Sequence, residues 1–171
     1  MESQTEPQKL FFQDDGLIPN HPSLPVLVYR SPVKKPECME QLFASHGWSN
    51  NWTNGVYPYH HYHSNAHEAL GVVSGSAALQ LGGPTGETVE VSSGDVLVLP
   101  AGTGHRRLSA SSSFRISGGY PGGVSYNMRH AENKDRLLAL KEIPSVPLPD
   151  ADPIYGAAGP LLRAWSIATN S

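Results

Sequence analysis

Seventeen glycines and 15 prolines are scattered along a chain of 171 residues. Glycine reaches backbone angles closed to other residues and proline removes a hydrogen-bond donor, so each tends to end or bend a regular element. A chain interrupted this often is suited to short strands joined by turns, not to a helical bundle. The segments between the interruptions agree. Residues 57–63, 68–73, 77–81, 88–91, 96–99, 105–108 and 114–120 read as strands, and residues 10–13 and 24–29 as two earlier ones. Short strands at such spacing predict an all-β fold, an antiparallel barrel or jelly roll. Two short helices are expected beside it. One covers residues 36–46, with Pro36 in its first turn, Met39, Leu42 and Phe43 on one face, and Gly47 past its end. The other covers residues 135–142.

Composition narrows the function classes. Hydrophobic residues make up 39% of the chain, enough for one domain with its own core. A net charge of -3 argues against the basic footprint of a nucleic-acid binder and against a polybasic membrane patch. The single cysteine, Cys38, excludes a disulfide framework and a Cys-rich zinc knuckle, and reads as a packing residue. No apolar run reaches membrane-spanning length, and the polar start, with Glu2 and Glu6, lacks the layout of a signal peptide. The expectation is a cytoplasmic protein with neither nucleic acid nor membrane as partner. The Asn51-Trp52-Thr53 triplet is then a chance match to a glycosylation site. The expected layout is a flexible arm over residues 1–8, a β-barrel domain with flanking helices over 9–143, and a Pro-rich extended tail over 144–171. Leu161, Leu162 and Trp165 would dock that tail on the barrel, and Trp48 and Trp52 would pack the first helix against it.

The chemistry is concentrated in His60-His61-Tyr62-His63-Ser64-Asn65-Ala66-His67-Glu68, with His105 further on. Side chains two apart share a strand face, so His61 and His63 point one way and His60 and Tyr62 the other. His105 follows the stiff Pro100-Ala101-Gly102-Thr103-Gly104 turn, which can bring a third imidazole over from another strand. Parity puts Glu68, Leu70 and Val72 inward beside the histidine pair and His67 outward. Glu68 is therefore the preferred fourth ligand, although a β-bulge would exchange it for His67. Three imidazoles and a carboxylate form a nitrogen and oxygen donor set suited to Fe, Mn, Co, Ni or Zn.

These residues carry a resemblance to the cupin superfamily. Its first motif is matched by Gly55, His61, His63, Glu68 and Gly75, and its second by Gly94, Pro100, Gly102 and His105, every gap in place. Ser109 stands where the second motif has Asn, a position that is not a ligand. Residues 54–64, 97–105 and 152–156, with Asp14-Asp15-Gly16 and Ile18-Pro19-Asn20, resemble the YjlB-like single-domain cupins. The resemblance implies a double-stranded β-helix, the cupin jelly-roll barrel. It also implies one divalent transition metal ion inside, held by His61, His63, Glu68 and His105. It names no substrate.

Around that centre, Tyr57 and Tyr59 share the face of His61, either to pack an organic ligand and donate a phenol proton or to close the barrel as core aromatics. Arg107 lies two residues past His105 and either clamps a substrate carboxylate or enolate or is solvated at the barrel mouth. Residues 118–123 offer a flexible rim or simply a wide turn. The expected function is a metal-dependent enzyme acting on a small organic molecule, with Glu68, Tyr59 and Arg107 as catalytic candidates. Oxygenase and isomerase or lyase chemistry both occur among cupins. The alternative is a non-catalytic small-molecule-binding or sensor cupin. A homodimer is expected because open jelly-roll edges must be covered.

Overall fold

All four residues of Val96–Leu99 are buried, and a strand alternates its side chains between two faces. The sheet that contains this strand must therefore be covered on both sides. A computed structural model describing residues 3–132 and 134–169 shows how. In chain order its elements are β1 (Gln8–Leu10), β2 (Val26–Tyr29), α1 (Met39–Ser45), β3 (Trp48–Asn54), β4 (His61–Tyr62), β5 (Glu68–Ser74), β6 (Ser76–Leu81) and β7 (Glu87–Ser92). They continue with β8 (Val96–Leu99), β9 (His105–Ala110), β10 (Arg115–Pro121), β11 (Arg129–His130), α2 (Arg136–Glu142) and α3 (Pro160–Thr169). Short 3₁₀ turns precede α1 and follow α2.

Two antiparallel sheets face each other, one of six strands in the order β1-β2-β8-β5-β10-β3 and one of five in the order β11-β4-β9-β6-β7. This is the all-β, double-stranded β-helix architecture with a few short helices. Val28, Leu70, Val72, Leu97 and Leu99 of the larger sheet meet Leu79, Leu81, Val89 and Val91 of the smaller one inside the barrel. The opposite face of the larger sheet carries Leu27, Tyr29, Ala69, Val96 and Val98. These pack under Met39 and Phe43 of α1, Trp48, and Leu161 and Trp165 of α3. Gly71 lies on this outer face, where a Cβ would come 2.4 Å from Met39 Sδ, so glycine lets α1 seat against β5. Gly75 turns β5 into β6 at φ 70°, a backbone conformation that side chains other than glycine seldom adopt.

Several expectations need correction. Residues 57–60 do not extend the strand before His61, because Pro58 cannot donate to a ladder. The polar run Trp48–Asn54 pairs with β10 instead, as an edge strand without apolar alternation. Trp48 does pack with α1, but Trp52 points to the barrel interior side. Gly118, Gly119 and Tyr120 are buried within β10, so they form no rim. Cys38 is exposed, not packed. The tail is not extended throughout. Pro160 opens α3, where a missing N–H costs nothing, and Leu161, Ala164 and Trp165 recur at helical spacing on its buried side. Nor is the arm over residues 1–8 free. The Thr5 N–H donates to the Tyr155 hydroxyl at 2.8 Å, Glu6 pairs with Arg163 at 2.9 Å, and Gln8 already begins β1. Met1 and Glu2 lie outside the described residues.

Asp152 fastens the tail. Its carboxylate is fully buried and accepts from the Ile154 and Tyr155 N–H groups, the Leu161 N–H and the Tyr29 hydroxyl, at 2.6 to 3.1 Å. Removing it would leave four donors, three of them in buried bonds, without that acceptor. Asp152→Ala is expected to destabilise the protein by about 3 kcal/mol or more. Urea unfolding should show a lower midpoint at an unchanged m value. A midpoint equal to wild type would show that the tail is held by its apolar contacts alone.

Candidate metal centre

The strands bring the three imidazoles together by pairing. His61 on β4 lies directly opposite His105, the first residue of β9, and their rings are 4.0 Å apart centre to centre. His63, just past β4, lies 5.6 Å from the His105 ring and 5.9 Å from that of His61. Tyr62 points to the other face, where it packs with Ile18 and with Ala139 of α2. All three histidines are buried, and one ligand nitrogen of each lies within 4.8 Å of the others. They form a group that can hold a metal ion.

The backbone decides which nitrogen each ring offers. Nδ1 of His61 faces the Tyr59 carbonyl at 3.1 Å, that of His105 the Thr103 carbonyl at 3.0 Å, and that of His63 the Asn127 carbonyl at 2.5 Å. A carbonyl only accepts, so each Nδ1 carries its proton and each Nε2 is left for the cluster. Fixing tautomer and orientation in this way is how outer hydrogen bonds prepare metal-ligating histidines.

Glu68 opens β5 with its side chain inward, in line with Leu70 and Val72. One carboxylate oxygen, Oε2, lies 3.4 Å from His63 Nε2, and the other, Oε1, lies 3.4 Å from His105 Nε2. Oε2 also accepts a 2.5 Å bond from the Tyr120 hydroxyl, whereas buried Oε1 has no hydrogen-bond partner. Burial alone would push the Glu68 carboxyl up, but His63, then His105 and Tyr120, hold it down at about 2. Burial pushes His63 down, and the Glu68 carboxylate outweighs it, so its pKa lies above the ordinary histidine value. Burial lowers His61 and lowers His105 well below that value. An orphaned carboxylate oxygen beside three oriented imidazoles suits a divalent transition metal.

His67 lies on the other side of β5. Its Nδ1 accepts the Ala101 N–H at 2.9 Å and its ring sits 4.9 Å from that of Trp165, with burial lowering its pKa to about 3. It therefore faces α3 and not the cluster.

A cavity of about 450 Å³ opens onto the centre, lined on its polar side by His61, His63, Glu68, His105 and Arg107. Trp52, Tyr57, Leu70, Tyr120 and Met128 form much of its apolar wall. Tyr59 is not part of the lining. It stacks on Tyr57 at 5.0 Å, stands 5.3 Å from the His130 ring and is 42% exposed. Strand parity does not extend to Tyr59 because Pro58 breaks the strand before it.

Two contributors escaped the sequence reading. Tyr120 stacks on Tyr126 at 4.1 Å and accepts the Trp52 Nε1–H at 2.9 Å, which fixes the hydroxyl that meets Glu68. Its signal was its place two residues from Gly118 and four from Ile116 on one strand face, where a tyrosine turned inward needs a polar partner. Asn127 supplies the carbonyl for His63, and its side chain exchanges hydrogen bonds with Ser64 at 2.8 Å. Arg129 joins Ser64 to Glu142 of α2 and stiffens that segment. A backbone carbonyl leaves no mark in a sequence.

Comparison with known proteins adds the following. The family described as Cupin domain matches residues 52–113. A Bacillus subtilis (strain 168) protein named Uncharacterized protein YjlB is 46% identical over 162 residues, spanning 95% of this chain and 98% of that one. Among solved structures, a DUF861 family protein from Thermotoga maritima matches 56% of this chain and 98% of its own, at 16% identity and a TM-score of 0.39. Acireductone dioxygenase from Bacillus anthracis, with a cadmium ion in its active centre, matches 53% of this chain, at 15% identity and a TM-score of 0.37. This chain spans 60% of that enzyme's length.

The purified protein is expected to retain one divalent transition ion per chain, measured by plasma mass spectrometry after dialysis against metal-free buffer. His105→Ala should lower metal affinity by about 100-fold or more, with an unchanged circular dichroism spectrum. Equal metal content in both proteins would place the ion elsewhere.

Proposed function

This chain belongs to the cupin superfamily, in its YjlB-like group, and from its buried centre we propose that it is a metal-dependent enzyme acting on a small organic molecule inside the barrel. The observation that carries this reading is the cavity. Its volume falls in the roughly 300–1,000 Å³ range typical of ligand pockets, and it ends on three oriented Nε2 atoms and a free carboxylate oxygen. A core built only for stability would fill that space with side chains. His61, His63 and His105 would hold the ion, and Glu68 would be its fourth ligand. When bound, a divalent transition metal supplies Lewis-acid or redox chemistry, as an oxygenase or an isomerase or lyase requires.

The remaining work belongs to the chain. The three carbonyls fix each Nδ1–H and so aim each Nε2 at the cluster. Tyr120 donates to one oxygen of Glu68, which leaves the other free to ligate or to hold a proton near the substrate. Trp52, Leu70 and Met128 keep bulk water away and give an organic molecule an apolar bed. Among the described residues no helix is long and apolar enough to cross a membrane.

The reading includes a homodimer. β1 and β3 end the six-stranded sheet, and each presents one row of backbone groups to no further described strand. Light scattering should give twice the chain mass of 18.4 kDa, and a single-chain mass would reject the dimer.

Activity is tested by incubating metal-loaded protein with a small-molecule extract and following each component by mass spectrometry. One component should be consumed by wild type and by His67→Ala but not by His105→Ala, whereas Glu68→Gln should slow its loss by about 100-fold or more. Consumption at the wild-type rate by His105→Ala would overturn the metal-dependent reading. A component retained without change would instead identify a binding protein.

A further inference from the structure

Six of the seven arginines have a partner. Arg30 bonds Glu90 and Asp95, Arg106 bonds Gln80, and Arg115 bonds the Phe114 carbonyl. Arg129 pairs with Asp135 and Glu142, Arg136 with Asp14 and Arg163 with Glu6. Among the described residues, Arg107 alone has a guanidinium that makes no hydrogen bond or ion pair, and it lines the metal-centre cavity at only intermediate exposure. Its backbone is fixed, since the Arg107 N–H donates to the Tyr57 carbonyl at 2.9 Å. The register shift between β6 and β9 falls after Leu79↔Arg107, so His105 and Arg107 keep one face.

The charge around the cavity is unbalanced once an ion is bound. Glu68 is the sole carboxylate in the lining and is already engaged with the histidines. A divalent ion would offset it and leave excess positive charge, to which Arg107 adds. Much of the wall is aromatic, with Trp52, Tyr57, Tyr120 and Tyr126. We propose that the site takes a carboxylate with a flat, apolar body, its carboxylate held by Arg107 and its other end at the histidine cluster. Residues two apart on a strand are about 7 Å apart, so the two groups belong to different ends of one molecule. A guanidinium matches a carboxylate with two parallel donors, and an aromatic wall accepts a planar body across its faces. This rests on the reading of the same cavity as a substrate site.

The test compares matched acids and amides, benzoate with benzamide and cinnamate with cinnamamide, by calorimetry on zinc-loaded and on metal-free protein. At least one acid should bind zinc-loaded protein about tenfold or more tightly than its amide. Arg107→Gln should erase that difference and Arg107→Lys restore part of it, because a lysine keeps the charge but not the paired donors. Neither substitution removes a side-chain hydrogen bond or ion pair, so thermal unfolding should move little. Equal binding of acid and amide, absence of binding by every acid, or full acid binding by Arg107→Gln overturns the proposal. The metal-free arm separates the two readings. If no preparation takes up metal yet Arg107-dependent acid binding persists, the enzyme reading fails and the carboxylate site stands. If metal binds and acids ignore Arg107, the carboxylate site fails alone.

Discussion

A carboxylate buried in the barrel is the constraint that much of the site answers. Glu68 is 2% exposed and continues inward into Leu70 and Val72. An isolated charge in such surroundings carries a penalty of several kcal/mol, and it persists only where partners surround it. His63, His105 and Tyr120 are those partners, and each needs its own support. Asn127 holds His63, Thr103 holds His105, and Trp52 holds Tyr120. One charge thus links β3, β4, β5, β9 and β10 with the segment before β11. The site is a network that spans both sheets.

The opposite face of the larger sheet supplies stability without chemistry. Every other residue of β2 and β8 points away from the barrel, and these residues are as apolar as the inward ones. They would face water if α1, Trp48 and α3 did not cover them. The C-terminal segment is therefore part of the core, and Asp152 holds its backbone in place through four accepted bonds. Separating this outer layer from the cavity leaves the inner face free to carry polar groups that a fully packed core would exclude.

What was legible in the sequence follows from the range of the interactions. Val96–Leu99 was legible as a strand because its pattern is local. The His61 and His63 pair, and Glu68 with Leu70 and Val72, could be oriented by parity within a few residues. The partnership of Tyr120 with Glu68 could not, since it depends on β10 lying beside β5 with Gly118 opposite Leu70. The Asn127 carbonyl depends on a contact 64 residues away in sequence. Tyr59 was misjudged for a local reason, the strand break at Pro58. The helix at Pro160 was also locally encoded, with Leu161, Ala164 and Trp165 at helical spacing, but four earlier tail prolines outweighed that signal.

Consistency between levels is what specifies a fold, and the places where it lapses are where function is concentrated. Two such lapses meet in one cavity. Glu68 Oε1 is a buried acceptor with no donor, and Arg107 is a cation with no anion. Among the described residues, the two other buried carboxylates are satisfied. Asp95 accepts the Ser31 and Ser92 N–H groups and pairs with Arg30, and Asp152 uses both oxygens. A chain able to satisfy those carboxylates has the means to neutralise Arg107 with one acidic residue on a neighbouring strand. It instead places Leu79 opposite Arg107, leaving the guanidinium to face the cavity without a counterion from the protein. That is the place the proposed carboxylate would fill.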